Sequence, residues 1–436
     1  MDLKLIQWFT DVKGSQKHLL IILLIALVTL VCFANSLSGE FIFDDYIVVQ
    51  ENPNIQSLSN IFNLFQQSYF GKDSSAGTYR PITTISFALN FALSGSNPFS
   101  YHLVNIFIHI INCWLIYWLC NYYSQTNFLA LFFALFFALH PVHSETVSAI
   151  YGRPELLATM FLLISWCCYL LSYKNNYWYI FSLVSYFFSL LSKESGIAFL
   201  GILLLAQICK EKSLSVKFIT YKNFLAYGLV TIPYIIIRGV VTKAFGVPIS
   251  GQFFANETFL TRVYTMSLGY VEYFKLLIWP AKLYTEYNYS VIPKATVIGF
   301  SVALSLTLII IIIIVGIWQI RKNPLIAFAV LFFFVTTSIV SNVFIPTGVL
   351  IAERTIYLPV ASICLLLAVL LYKLYEKGWQ RLAIVGFIII LSLGALRTYN
   401  RNLDFQSDFT LFSSILKLAP NHPKGNYGLG LYLIQR

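Results

Sequence analysis

The chain has 436 residues, 58% of them hydrophobic, 17% aromatic and only 11% charged, and its mean hydropathy is +0.74. Soluble domains carry about 25% charged residues, so a surface that faces mainly water is excluded. The formal charge of +11 would suit a nucleic-acid binder, but the Lys and Arg residues sit in short connections between apolar runs, where membrane orientation accounts for them and nucleic acid is not an expected partner.

In chain order, membrane spans are predicted near 18–37, 99–122, 126–141, 154–173, 176–191, 195–209, 222–241, 295–319, 324–343, 355–373 and 381–398. His18–Leu37 and Ala295–Ile320 are the cleanest runs, each long enough to cross a hydrocarbon core of about 30 Å. The first is too long for a cleaved signal peptide and reads as a retained anchor. Cys32, Cys113, Cys120, Cys167, Cys168, Cys209 and Cys364 all lie in or beside apolar runs. Neither a disulfide framework nor a CxxC metal set is therefore expected.

Lys4, Lys13 and Lys17 precede the first span. Lys174, then Lys210, Lys212, Lys217 and Lys222, then Arg321 and Lys322, then Lys373, Lys377 and Arg381 occupy alternating connections. They assign these connections to the cytoplasmic side, which leaves the long connections Ser38–Tyr101 and Thr242–Lys294 outside. Two apolar segments are set aside from the count. Pro81–Ser94 opens on a helix-starting proline and aligns Thr83, Ser86, Asn90 and Ser94 on one face, which suits a helix lying along the membrane surface. Phe259–Pro280 carries Arg262, Glu272 and Lys275, which would be costly at mid-bilayer, and is also predicted to be external and interfacial. The tail, Asp408–Pro420 followed by Pro423–Gln435, reads as a pair of tetratricopeptide-like helices. The domain organisation expected is a transmembrane domain over 1–400 and this helical tail over 401–436.

Polar chemistry gathers in five places, all on the external side under that orientation. Asp44 and Asp45 follow the first span, and Arg80 opens the interfacial helix. His140, His143 and Glu145, with Arg153 and Glu155, fill the third-to-fourth connection. Lys193 and Glu194 form the next external turn, and Glu353, Arg354 and Tyr357 start the tenth span. Each has a plain structural reading. An Asp pair caps helices, adjacent Lys-Glu and Glu-Arg residues form interfacial ion pairs, and arginines snorkel. His140 and His143 at i, i+3 offer two imidazoles without a full ligand set, so no metal site is assigned and a divalent cation is left open. The concentration on one side favours a single external site.

The stretches FDDYIVVQENPNI, TYRPITTISFALNFALSGSNPFSYHLVNIFIH, HPVHSETVSAIYGRPELLA, LLSKESGIAFLG and ERTIYLP together resemble the transmembrane and tetratricopeptide-repeat O-mannosyltransferases, a family of GT-C glycosyltransferases related to the protein O-mannosyltransferases. The resemblance runs from about Phe41 to the C-terminus, although the repeat array is nearly absent here. It implies an all-α polytopic protein of about eleven transmembrane helices with external interfacial helices. It also implies a polyprenyl-phosphate sugar as donor, mannose above all, and a protein or peptide hydroxyl as acceptor, within a bacterial inner membrane or endoplasmic reticulum.

A lipid-phosphate leaving group needs no general acid, so one carboxylate suffices as base, with cations to hold the phosphate. Asp44 or Asp45 is the candidate base. Arg80, Arg153 and Arg354 are the phosphate candidates, since guanidinium pairs bidentately with phosphate. His140, His143, Glu145, Lys193, Glu194, Glu353 and Tyr357 are candidates for positioning substrate. Two other readings stand beside this one: a lipid-sugar transporter or flippase, and a non-catalytic scaffold presenting the tail.

Overall fold

The computed structural model describes residues 14–70, 77–213, 218–243, 253–254 and 256–434. Lys4, Lys13, Lys217 and Gln435 lie outside them, as do residues 71–76 of the first long connection and 244–252 and 255 of the second.

The architecture is almost wholly helical. In order come α1 (Gly14–Phe33), α2 (Pro81–Ser94), α3 (Pro98–Ser124), α4 (Asn127–Ala138), α5 (His143–Ser148), α6 (Arg153–Leu171), α7 (Tyr177–Ser192), α8 (Ala198–Glu211) and α9 (Phe218–Thr242). There follow α10 (Phe259–Ile278), α11 (Phe300–Lys322), α12 (Pro324–Thr337), α13 (Ala361–Glu376), α14 (Gln380–Asn402), α15 (Asp408–Leu418) and α16 (Pro423–Ile434). Every predicted span coincides with a helix, and the two segments set aside are α2 and α10. Among the described residues, six stretches are long and apolar enough to cross a membrane: Gln16–Ser38, Pro98–Ser124, Ile150–Leu171, Phe224–Thr242, Phe300–Lys322 and Gln380–Phe405. The protein is an all-α polytopic membrane protein.

Some helix starts differ from expectation. The run expected from 295 begins its helix at Phe300, after Gly299 in extended backbone. The one expected from 355 begins at Ala361, because a short 3-10 helix occupies Glu353–Ile356 and Pro359 has no N–H to continue the ladder. Elsewhere local chemistry sets the ends. Proline occupies the first turn of α2, α3, α6 and α12, where its missing N–H costs nothing. Asn97 caps α3, Thr258 caps α10, and Ser407 with Thr410 closes a capping box on α15.

Buried hydroxyls and small residues join the helices, as expected where apolar burial gives no preference between lipid and protein. Ser182 donates to the Ser165 carbonyl at 2.6 Å and meets the Tyr227 hydroxyl at 2.6 Å, joining α6, α7 and α9. Gly196 packs so closely that a Cβ there would come within 2.6 Å of Ser189 Oγ.

The basic connections gather at one end of the bundle. Lys17 lies over the Phe128 ring, Phe128 stacks on Tyr375 at 5.4 Å, and Lys373 donates to Asn323 Oδ1 at 3.1 Å. The loop after α1 is roughly 30 Å away along a 20-residue helix. At that other end an unforeseen two-residue ladder pairs β1 (Glu286–Tyr287) with β2 (Ile351–Ala352), antiparallel with Glu286 opposite Ala352. It fixes the second long connection against the turn that carries Glu353 and Arg354.

Candidate active site

The site grows from the loop between α1 and residue 46. Phe43 takes left-handed backbone, φ +52°, which costs a bulky residue of order 1–3 kcal/mol and persists only where its surroundings enforce it. They do: the Phe43 N–H donates to Asp408 Oδ1 of α15 at 2.9 Å, and the ring packs edge-on against Tyr151 and Phe412. The Glu40 N–H donates to the Gln406 carbonyl at 2.8 Å. The tail is thus fastened onto the acidic loop.

The two adjacent acids have different environments. Asp45 is fully buried. Its carboxylate accepts the Ile42 N–H at 3.1 Å and the Tyr151 N–H at 2.6 Å. Burial pushes its proton affinity well up, against the pull of those two N–H groups. Asp45 therefore ties the loop to the start of α6. Asp44 is partly exposed, and among the described residues no hydrogen bond or ion pair engages its carboxylate. Burial raises its pKa, while Arg354, Lys424 and Arg80 pull it down and Glu286 pushes it up. It is an unengaged carboxylate whose charged neighbours are Arg354, Lys424, Arg80 and Glu286, the three cations each paired with a glutamate.

Those cations come from distant parts of the chain. Arg354 pairs with Glu145 through its guanidinium and also donates its backbone N–H to Glu145 Oε2 at 2.7 Å. Its other nitrogen lies 4.0 Å from Glu286. Glu286 in turn meets Lys424 of α16 at 2.8 Å. Glu145 is fully buried, and burial, with Glu353 adding, pushes it up to about 7 despite Arg354. Arg80, at the start of α2, forms a two-point pair with Glu194 at 2.9 and 3.3 Å and lies over the Tyr69 ring. Burial alone would raise Glu194, but Arg80 and Lys193 outweigh it and hold the carboxyl at about 2. Lys193 pairs with buried Glu155, which also accepts from Ser195 Oγ at 3.3 Å.

Sequence neighbours therefore do not pair with each other. Lys193 and Glu194 turn to Glu155 and Arg80. Glu353 and Arg354 turn to Arg401 and Glu145. The reading of both doublets as local ion pairs is corrected: Glu353 and Arg354 open one short 3-10 helix and Lys193 and Glu194 the start of another, and consecutive side chains there leave the backbone in different directions.

Several expected site residues are placed elsewhere. Arg153 is fully buried. Its guanidinium donates to Asn105 Oδ1 at 2.8 Å, Asn90 Oδ1 at 3.0 Å and the Tyr101 and Ser86 carbonyls, between the Phe87 and Tyr101 rings. With those partners filled it braces α2 and α3, and is not open to a phosphate. Glu353 is likewise fully buried, bound to Arg401 at 3.3 Å and to the Thr285 N–H at 2.9 Å, so it orders the turn and does not face a substrate. His143 and Tyr357 are wholly buried. His143 Nε2 meets the Tyr357 carbonyl at 3.1 Å, and Tyr357 bonds His109 and Asn112. His140 contacts the Leu277 carbonyl at 3.2 Å. These three form an aromatic core beneath the site. Among the described residues there is no group of three or more His, Cys, Asp or Glu placed to hold a metal, and all seven cysteines are unpaired and buried.

The structure brings Asp44, Arg80, Glu145, Glu194, Lys193 and Arg354 into one charged group, and adds Glu286, Lys424 and Tyr69. Sequence reading missed the additions, since no motif marks them. The one available signal was the acid-base balance of the long connection and the tail.

Helices and site together define a polytopic helical membrane protein with a charged side-chain group at the end opposite its basic connections. Nearly the whole chain is similar to curated O-mannosyltransferases. It is 28% identical over 432 residues, 97% of the chain, to Protein O-mannosyl-transferase F38B6.6 of Caenorhabditis elegans. It is 26% identical to Protein O-mannosyl-transferase TMTC3 of Homo sapiens over 93% of the chain, and 26% identical to TMTC4 of Mus musculus over 94%. The resemblance to the transmembrane and tetratricopeptide-repeat O-mannosyltransferases is thus one of the whole sequence and not of the motifs alone. The chain spans 61%, 48% and 63% of the length of these three relatives. No protein-family model matches the sequence.

Proposed function

We propose that the chain transfers a sugar, mannose by the names of its relatives, from a polyprenyl-phosphate donor to a Ser or Thr hydroxyl of a protein. The observation that carries this reading is the contrast within the acidic doublet. Asp45 is fixed by two backbone N–H groups, whereas Asp44 is unengaged and faces Arg354, Lys424 and Arg80.

Asp44 takes the proton of the acceptor hydroxyl. The hydroxyl oxygen attacks the anomeric carbon, the bond from that carbon to the phosphate oxygen breaks, and the polyprenyl phosphate leaves with the electron pair, inverting the centre. A carboxylate raised by burial is a better base near neutrality. Arg354 and Arg80 stabilise the departing phosphate, each drawn from a carboxylate partner, Glu145 or Glu194, that holds it in place meanwhile. Lys424 adds a third positive charge. Asp45 orients the loop, and Lys193 supports Glu194.

In this reading the helices matching the predicted spans make eleven crossings. Residues 1–400 form the GT-C-like domain and 401–436 a tetratricopeptide-like pair, and the charged group faces the lumenal or extracytoplasmic side. A flippase would need ionisable groups along a path between the leaflets, whereas this group crowds one end. Full chain in proteoliposomes, given radiolabelled polyprenyl-phosphate mannose with and without a Ser/Thr-rich peptide, separates the readings. Label in peptide supports transfer. Label moving across the bilayer without entering peptide would replace this reading by transport.

A further inference from the structure

A second feature lies at the opposite end of the bundle. A cavity of about 310 Å³ opens between α3, α4, α6, α8, α12 and α13, walled by Leu119, Trp166, Phe328 and Leu365 among other apolar side chains. Its mouth carries two lysines, Lys210 at the end of α8 and Lys212 just beyond it. Both are exposed, and neither is ion-paired among the described residues. The intervening Glu211 is engaged by Gln207 Nε2 at 2.5 Å. Lys210 lies over the Tyr173 ring at 5.3 Å, and Tyr123, which also lines the mouth, accepts the Trp166 indole N–H at 3.2 Å. An apolar shaft with an aromatic and basic rim is the profile of a membrane interface.

We infer that this cavity is a binding site for an anionic phospholipid of the leaflet on the lysine side, with one acyl chain in the shaft and the phosphate on Lys210 and Lys212. The volume falls at the lower end of the range for small-molecule sites, about 300–1,000 Å³, and the lining offers almost nothing to a polar ligand. Charge complementarity selects the headgroup. The mouth is cationic, and it lies with the basic connections that face an anionic leaflet. The site is separate from the charged group around Asp44, and the inference stands whatever reaction that group performs.

The test is native mass spectrometry of the full chain with phosphatidylglycerol or phosphatidylcholine of identical chains, paired with Trp fluorescence using chain-brominated phosphatidylglycerol. Wild type should retain phosphatidylglycerol about thirtyfold better, the factor two surface lysines supply. Lys210→Gln with Lys212→Gln, both at exposed positions, should bring that preference close to one. Brominated chains should quench a component of the fluorescence that Trp166→Phe removes. Equal retention of the two lipids would overturn the inference, as would quenching unchanged by Trp166→Phe. So would displacement of the bound lipid by polyprenyl phosphate, which would give the cavity to the donor's chain.

Discussion

The backbone N–H of Phe43 is bound by the carboxylate of Asp408, 365 residues later, at 2.9 Å. This contact holds the left-handed residue that sets the direction of Asp44, so the C-terminal helices are part of the machinery that aims the acidic loop. Asp408→Ala, which removes the acceptor, should loosen residues 40–46. Asp408→Asn, which keeps an oxygen for the N–H, should not. Hydrogen exchange at the Phe43 amide should rise by about tenfold in the alanine variant, matching the loss of roughly 1–2 kcal/mol of hydrogen bonding. Equal exchange in both variants would contradict the relationship.

The two paired glutamates give opposite pH signatures. Glu194 is held at about 2 in the folded chain against an ordinary 4.5. The stability it contributes is present above pH 4.5 and lost as pH falls toward 2. Glu194→Gln should flatten that acid limb, by about 1 kcal/mol once its partial exposure is allowed for. Glu145 is raised to about 7, so the folded chain binds its proton more tightly than the unfolded one, and stability falls as pH rises from 4.5 through 7. Glu145→Gln should remove that fall. Thermal unfolding in detergent between pH 3 and 8 reads both.

Arg401 and Glu353 form a fully buried pair that orders the turn beneath Arg354. Arg401→Met alone leaves a buried carboxylate uncompensated and should cost about 3–5 kcal/mol. Adding Glu353→Leu should recover most of it. A double variant no more stable than the single one would mean that the charges do not interact.

The proposed crossings put the tail on the same side as Asp44. Cysteine introduced at position 420 should react with a membrane-impermeant maleimide from the extracytoplasmic side, and cysteine at position 322 should not. The reverse pattern would invert the orientation.

The helices were legible because apolar runs and proline starts are local signals: Pro81, Pro98 and Pro324 mark their helices in the sequence as clearly as in the fold. Part of the charged group, Asp44, Arg80, Glu145, Lys193, Glu194 and Arg354, was legible from its one-sided distribution, whereas Glu286 and Lys424 were not. The pairing was not legible either. Asp44 and Asp45 are indistinguishable in sequence, and only the return of the chain at Tyr151 separates the anchored acid from the free one. Arg153 carries the same charge as Arg80 and Arg354, yet Asn90 and Asn105 absorb it, which no spacing announces. Glu286 and Lys424 meet only because β1 pairs with β2 and the tail folds back.

Asp44 is the proposed base. Its most direct test is Asp44→Asn in the mannosyl-transfer assay, with donor binding measured on the same preparation. Turnover should fall at least a hundredfold with donor affinity changed less than about threefold, because the cations that hold the phosphate remain. An Asp44→Asn chain that transfers sugar at the wild-type rate would contradict that assignment.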